Sequence, residues 1–485
     1  MVRSVLLVVF VSYLSFTSLA QDVPASDAKE WTLQECVKIA LDNNLNVRRS
    51  VYNMEGFKVG LFQSKMAFLP TVNAGGSYGQ NYGRALNPVT NAFINRNTDN
   101  INVQANSSLT LFNGLRLQNS FRQSQRDFQA SEQDLEKAKN DVIINVVTLY
   151  VNVIFNQELY DNARYQLNSS QQQLERIKKQ VAVGGLPKAD ELNQEAQVAT
   201  NEVNLINQEN ALNLSLLQLK QAMQLPGSTP MRVEVPELQA QDLVIEDSPD
   251  QVYNVALQSM PEIKSATLKV ESAVLGLKAS KGGLYPRLSL NGSAASNYSS
   301  ASDVPLTTIV GTAPTTTPVG SVNVGGTAYP VFGLQPVTQV VSEGYGQRDQ
   351  LQDNLFKQVS LGLTIPIFNG WQSRSSVQRA AINHEIASIN EQQTKNTLRQ
   401  TIETAYNDAL AASKSYAASL KQVSAREEAY RMAKQRFELG GLSYFEYQIS
   451  ENDLFQSKSD LARAKYNFVF RKKILDFYQG KPIDY

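Results

Sequence analysis

Leu109-Thr110-Leu111-Phe112-Asn113-Gly114 and Leu363-Thr364-Ile365-Pro366-Ile367-Phe368-Asn369-Gly370 decide the fold. Each is an alternating run that ends in Phe-Asn-Gly and is followed by a long stretch without glycine or proline. The two corners lie 368−112 = 256 residues apart. Gly184-Gly185-Leu186 returns as Gly440-Gly441-Leu442, and Leu149-Tyr150 falls opposite Ala405-Tyr406, at the same spacing of 256. Upstream, Ala40-Leu41 returns as Ala256-Leu257 and Leu69-Pro70 as Tyr285-Pro286, at a spacing of 216. The chain is therefore duplicated, with one insertion of 256−216 = 40 residues between Pro286 and Phe368.

Working outward from the corners, period two dominates upstream. Val72, Ala74, Tyr78 and Tyr82 alternate with Thr71, Asn73, Ser77 and Asn81. Ile101, Val103, Ala105, Leu109 and Leu111 alternate with Asn102, Gln104, Asn106, Ser108 and Thr110. Leu288, Leu290, Ala294 and Tyr298, then Val359, Leu361, Leu363 and Ile365, repeat the pattern in the second half. Alternation over about 10 residues is the strand signal. A soluble sandwich would show it too, but the length suits a tilted membrane strand with one face on lipid and one on a wet lumen. Trp371, just past the last strand, is a candidate anchor at the membrane interface.

Downstream of the corners the period becomes helical. Phe128, Leu135, Val142 and Leu149 recur every seven residues, as do Tyr160, Leu167, Leu174 and Val181. A rod of about 70 residues would be roughly 100 Å long. It turns at Gly184-Gly185 and returns to Gln224; the second rod runs from Trp371, turns at Gly440-Gly441 and returns to about Tyr478. Before each hairpin one further helix is expected, the first opening at Thr32 with Glu35 at capping-box spacing. The resulting division is a secretory signal over 1–20, a first repeat over 21–226 with its hairpin at about 71–112, a joint over 227–250, and a second repeat over 251–485 with its hairpin at about 287–368. The stretch 299–351 has no charged residue between Asp303 and Glu343 and is expected to be a long loop.

Composition narrows the function. Arg3, the apolar run Val5 to Val11 and Ser18-Leu19-Ala20 form a secretory signal. No second long apolar run is expected, which leaves a β-barrel as the way to span a membrane. Removing Arg3 turns 45 basic against 45 acidic residues into 44 against 45, which argues against nucleic acid as a partner. One cysteine, Cys36, and one histidine, His384, leave no disulfide, zinc set or Cys/His pair, so no cofactor and no enzyme activity are expected.

Four strands cannot close a barrel, because single-chain barrels start at about 8 strands, and open edges are not tolerated in lipid. Strands from several chains must share one barrel: two chains give eight and three give twelve, the latter with room for a water-filled bore. The fold class is thus mainly α with a membrane β-barrel, internally duplicated, in an oligomer. A periplasmic coiled-coil adaptor or structural rod is the alternative, which explains the helices but not the four duplicated strands.

These features resemble the TolC-like outer-membrane efflux and secretion channels. The residues carrying the likeness are Leu33-Gln34-Glu35-Cys36-Val37-Lys38-Ile39-Ala40-Leu41-Asp42-Asn43-Asn44, the two Phe-Asn-Gly corners, the two Gly turns and Leu461-Ala462-Arg463-Ala464-Lys465-Tyr466-Asn467-Phe468. The resemblance implies a homotrimer with a twelve-stranded barrel in the outer membrane of a Gram-negative bacterium and an α-helical tunnel in the periplasm. It implies passive export from a periplasmic adaptor (a membrane fusion protein) and an inner-membrane pump of RND or ABC type. Adaptor contacts would fall at Val183, Gly184, Gly185 and Leu186 and at Leu439, Gly440, Gly441 and Leu442, where the glycines also suit a simple helix-hairpin turn. An acidic constriction would fall at Asp190 and at Glu446, since 190 + 256 = 446. First-turn acids are also favoured by the helix dipole, by about 0.3–1 kcal/mol. Ile449 stands where some members carry a second acid, so a double ring is not expected. Tyr444 and Tyr447 would supply packing there.

Overall fold

The computed structural model describes residues 30–86, 91, 93–235, 248–303, 307–340 and 345–481. The signal expected over 1–20 lies outside the described residues. The first repeat runs β1 (Glu30–Trp31), α1 (Leu33–Asn43), α2 (Leu45–Met66), β2 (Thr71–Asn81), β3 (Arg84–Leu86), β4 (Phe93–Asn95), β5 (Thr98–Phe112), α3 (Arg116–Ala182) and α4 (Lys188–Ala222). The joint carries β6 (Arg232–Val233). The second repeat runs α5 (Pro249–Ser259), α6 (Pro261–Gly282), β7 (Arg287–Ser299), β8 (Thr307–Val324), β9 (Thr327–Val340), α7 (Gln347–Asp353), β10 (Phe356–Thr364), α8 (Gln372–Glu438) and α9 (Tyr444–Tyr478). The bounds of α1 and α2 recur in α5 and α6 at a spacing of 216, and those of α3 and α4 in α8 and α9 at 256.

The single helix expected ahead of each hairpin is corrected to two. Asn44 leaves helical geometry at ψ 123°, donates its amide to the Ala40 carbonyl at 2.9 Å, and accepts from the amide of Asn46 at 2.8 Å through its own side chain. It therefore ends α1 and caps α2. Its counterpart 216 residues on, Met260, breaks the helix at ψ 128° for a different reason: it precedes Pro261, and a residue before proline is pushed out of the α region. At the front, Thr32 and Glu35 form a capping box, and Ser248 with Gln251 repeats it.

The expectation of a loop over 299–351 is also corrected. Residues 307–324 and 327–340 form an antiparallel ribbon, β8–β9, closed at Gly325-Gly326 with φ of 63° and 91°. Two consecutive positive φ values match the right-handed twist of a tight hairpin, and Val, Thr and Tyr supply strand formers.

The chain divides into two compact units. One comprises Val51–Asp134 and Pro261–Lys395. Its main sheet has the order β10-β7-β5-β2, all antiparallel, so the two hairpins pair side by side through β5 and β7. The strands of β2–β5 pair at residue numbers summing to 179 (Thr71 with Ser108), and those of β7–β10 at 651 (Phe356 with Ala295). The difference, 651−179 = 472, equals 216 + 256, so the duplication extends to the hydrogen-bond register.

The other unit comprises the described residues of Met1–Ser50, Leu135–Met260 and Asn396–Tyr485. α3 contains a stretch long and apolar enough by composition to cross a membrane, which corrects the expectation of no second apolar run. Here Val142, Val146, Val147, Tyr150, Val151, Val153 and Ile154 are buried and form core. Tyr150 explains the joint. Its ring is 1% exposed, and its hydroxyl lies 2.7 Å from the Glu234 carbonyl and 3.0 Å from the Trp31 carbonyl. It thereby ties the parallel pair β1–β6, which holds Glu30 against Arg232 and Trp31 against Val233.

Candidate functional site

The first site is the sheet. Register places Val72, Ala74, Gly76 and Tyr78 of β2 on the same face as Ala105, Val103 and Ile101 of β5, Leu290, Ala294 and Tyr298 of β7, and Leu361 and Leu363 of β10. The opposite face carries Asn73, Asn106, Ser293 and Gln358 in one row, and Ser77 with Asn102 in another. Val359, Leu361 and Leu363 are 63–78% exposed, and Val72 and Tyr78 are 71% and 64% exposed. This face also carries Ser107, Ser296 and, near one end, Lys357, but its apolar and bare majority suits hydrocarbon, with the amide and hydroxyl face suited to water.

Each Phe-Asn-Gly corner converts strand to helix by the same device. Gly114 and Leu115 have φ of 65° and 62°, and Gly370 and Trp371 have 62° and 67°. The Asn113 side chain accepts from the Leu117 amide at 3.3 Å, and Asn369 from the Ser373 amide at 3.4 Å. Leu and Trp rarely adopt positive φ, so the preceding glycine and the asparagine cap hold them there. Trp371 is half exposed, with the Arg374 guanidinium 4.7 Å from its ring centroid.

The second site is the pair of helix turns in the helical unit. At the first, the Gly185 amide reaches the Gln180 carbonyl at 2.8 Å and the Gly184 amide reaches Val181 at 3.0 Å, with Gly184 at φ 76°. Gly441 to Arg436 and Gly440 to Phe437 repeat this at 2.8 and 3.0 Å. Both are Schellman caps, which require the left-handed residue that glycine supplies. Val183 and Leu439 stand 83% and 87% exposed at the turns.

The returning helices begin differently. α9 opens with a capping box: the Glu446 carboxylate accepts from the Ser443 hydroxyl at 2.8 Å and its amide at 3.2 Å. Those bonds, with Arg436 nearby, hold the exposed Glu446 carboxyl below its ordinary pKa. α4 opens at Pro187 with no side-chain cap, and Asp190 lies half-buried in its first turn. Tyr444 and Tyr447 are buried rather than surface groups. They pack with fully buried Ile177 and with Val181, Leu186, Tyr430, Phe437 and Leu442. Phe437 stacks on Tyr447 with centroids 5.0 Å apart, and the Tyr430 and Tyr447 hydroxyls meet at 3.1 Å. Burial pushes Tyr444 and Tyr447 well above the ordinary phenol range.

The heptad seams carry many small and polar members, and behind the turns these form a polar seam whose cross-helix partners were not anticipated. Glu451 is 8% exposed and accepts from the Ser169 hydroxyl at 2.8 Å; burial raises its pKa. Gln448 donates to Gln197 at 2.7 Å and Gln166 to Asn452 at 3.4 Å. These bonds border a groove of about 530 Å³ lined by Asn162, Gln166, Gln197, Asn201, Asn452 and Gln456 among others. The available signal was the run of Asn and Gln at positions where a two-stranded coil would place Leu. His384 meets only Glu385, at 3.3 Å, among the described residues, and Cys36 is buried. The described residues contain no group of three or more His, Cys, Asp or Glu placed to hold a metal.

A duplicated chain with four membrane-length strands, open sheet edges and two 67-residue helices is an outer-membrane channel protein. The family model for outer membrane efflux proteins matches residues 37–224 and 252–476, and the chain belongs to that family. It is 24% identical over 444 residues to the outer membrane efflux protein BepC of Brucella suis, covering 90% of this chain and 83% of BepC. The fold is that of the outer membrane protein VceC of Vibrio cholerae (TM-score 0.72, 12% identity, 93% of this chain and 97% of VceC). The Campylobacter jejuni CmeC outer membrane channel is similar too, at TM-score 0.68 and 18% identity, with 93% and 87% covered.

Proposed function

We propose that this efflux protein is the exit duct of a three-part export assembly, with three copies sharing one twelve-stranded barrel. The observation that carries the reading is the four-stranded sheet with an exposed apolar face and two unpaired edges, β10 and β2. Lipid offers no hydrogen bonds to such edges, so other copies must supply them. Substrate passes through and no bond is made or broken. The segment 1–20 directs export, the joint 227–250 lies in the periplasmic part, and Trp371 sits at the membrane interface.

The Gly turns are the docking tips for a periplasmic adaptor served by an RND or ABC pump. Exposed Val183 and Leu439 beside rigid Schellman caps support this, since an apolar group on a preorganised turn loses little entropy on binding. Because one returning helix is capped by Ser443 and the other begins at Pro187, the adaptor meets two unlike grooves. Asp190 and Glu446 supply negative charge at the constriction, while Tyr444 and Tyr447 hold it together from inside.

The test is conductance in planar bilayers of protein extracted from outer membranes. Asp190→Asn with Glu446→Gln should lower cation selectivity, and glutamine at 446 retains the capping-box geometry. Unchanged selectivity removes both residues from the constriction. A chain recovered as a soluble monomer after cell breakage refutes the duct.

A further inference from the structure

The polar groove behind the turns carries more hydrogen-bonding capacity than the fold uses. It lies within the helical unit, holds about 530 Å³, and is lined by α3, α4 and α9. α4 contributes Gln197, Asn201, Asn204 and Gln208, and α9 contributes Asn452, Gln456, Ser459 and Arg463. Each stripe spans 208−197 = 463−452 = 11 residues of helix, roughly 16 Å at about 1.5 Å per residue.

The amides hold one another in place. Gln197 donates to Asn201 at 2.9 Å, Gln208 to Asn204 at 3.4 Å, Gln166 to Asn452 at 3.4 Å and Gln456 to Asp460 at 3.1 Å. A side-chain amide has a donor end and an acceptor end, and each of these bonds uses one end only. The nitrogens of Asn201, Asn204 and Asn452 and the oxygens of Gln166, Gln208 and Gln456 have no protein partner among the described residues. Asn201 is 5% exposed, so its nitrogen is a buried donor opening on the groove. Asn162 of α3, half-buried on the same groove, makes no side-chain hydrogen bond among the described residues. Charge is sparse. Arg463 is the one ionic side chain among the described lining residues, and none of the described acids pairs with it. Its neighbouring cations are committed elsewhere, Arg426 to Asp453 at 2.7 Å and Lys458 to Glu427 at 3.1 Å.

These features select among occupants. A helix satisfies its own backbone and would meet the free amide ends only through side chains. An extended peptide turns backbone groups to one side about every 6.7 Å, whereas wall groups recur about every 5.4 Å along a helix, so over three turns the two fall out of step by roughly 4 Å. A hydroxyl both donates and accepts, so a saccharide satisfies either amide end in any order. Ala163 and Phe455 give its C–H faces an apolar floor. The unpaired guanidinium of Arg463 matches a carboxylate, which it can hold by two parallel hydrogen bonds.

We propose that this groove binds an oligosaccharide carrying a carboxylate, with Arg463 on the acid and the free ends of Asn162, Asn201, Asn204 and Gln456 on hydroxyl or N-acetyl groups. This role goes beyond the duct reading and stands whether or not the chain is a duct. Two sources share the chemistry: the N-acetylated glycan of the cell wall and an exported uronic-acid polysaccharide.

Titration calorimetry of the full-length protein, purified in a detergent without a sugar headgroup, tests the site. The probes are N-acetylglucosaminyl-N-acetylmuramic acid for the wall glycan, digalacturonic acid for the uronic polymer, neutral diacetylchitobiose and an acidic tetrapeptide. At least one acidic disaccharide should bind about tenfold more tightly than chitobiose, and the tighter of the two names the source. Arg463→Gln should erase that preference while leaving chitobiose within about twofold of wild type. Asn162→Leu, which removes a group the fold does not bond, should weaken every saccharide about fivefold. The preference of the unmodified protein is read without any variant, so a variant that fails to fold leaves the test standing. Equal affinity for acidic and neutral disaccharides, tighter binding of the tetrapeptide, or no binding of any saccharide up to about 10 mM overturns the proposal. A preference that survives in folded Arg463→Gln overturns it too.

Discussion

Ile177→Ala isolates the packing that closes the helix turns. Ile177 comes from α3 and is fully buried, while Tyr444 and Tyr447 of its cluster and Phe437, which packs against that cluster, come from the other helical hairpin. The substitution removes three carbons, about 2.4 kcal/mol of transfer free energy at about 0.8 kcal/mol each. The stacked rings around it relax only partly, so a cavity term brings the cost to about 3–4 kcal/mol. If the turns open as a local unit, 3 kcal/mol raises the open population roughly a hundredfold. Amide hydrogen exchange read by mass spectrometry should then accelerate by about that factor over 180–186 and 436–442. Exchange at the β1–β6 joint should stay within about threefold of wild type, and Val183→Ala, which alters an exposed side chain, should change neither region. Exchange at the turns that stays within threefold of wild type refutes the role given to this cluster. Equal acceleration at turns and joint shows that the two regions open together and refutes the local unit.

Two further outcomes follow from single groups. Tyr150→Phe keeps the buried ring but strips the hydroxyl shared by the Trp31 and Glu234 carbonyls, which costs about 1–2 kcal/mol and should speed exchange of the Val233 and Glu234 amides about tenfold without altering the turns. Burial raises the pKa of Glu451, so its contribution to stability is fully present below the ordinary carboxylate pKa and is lost as pH rises through the raised value. Protection of α9 near Glu451, corrected for intrinsic exchange, should therefore fall on going from pH 4 to pH 7. Glu451→Gln should flatten that profile, and a profile that persists in the variant assigns the effect to another group.

The element ends were legible because local chemistry punctuates them. Gly184 and Gly440 end helices that need a left-handed residue, and Asn113 and Asn369 start helices that need a cap; such signals act over four or five residues and are written in order. The break at Met260 carried a local signal in Pro261 that the expectation of a single helix overlooked, whereas Asn44 carried none, because asparagine is ordinary on a polar helix until its side chain turns back to cap the next one. The β8–β9 ribbon was obscured by an uncharged composition that ribbons and loops share. The partners of Tyr444, Tyr447 and Glu451 were beyond reach, since a seven-residue period says that a side chain faces a seam but not which helix lies across it.

The sequence by itself determined the duplication, the strand–corner–rod order and the two spacings. All of these follow from local propensity and from repetition along one dimension. The tertiary structure decided what repetition cannot: that β5 pairs with β7, that one glycine corner is covered while its copy is bare, and that the tyrosines behind the turns form core. The β5–β7 register and the packing of Ile177 on Tyr444 and Tyr447 join segments more than a hundred residues apart, and their energies exist only once those segments meet. The two sources meet at the edges of the four-stranded sheet, where the order β10-β7-β5-β2 leaves one side of β10 and one side of β2 without a partner strand among the described residues.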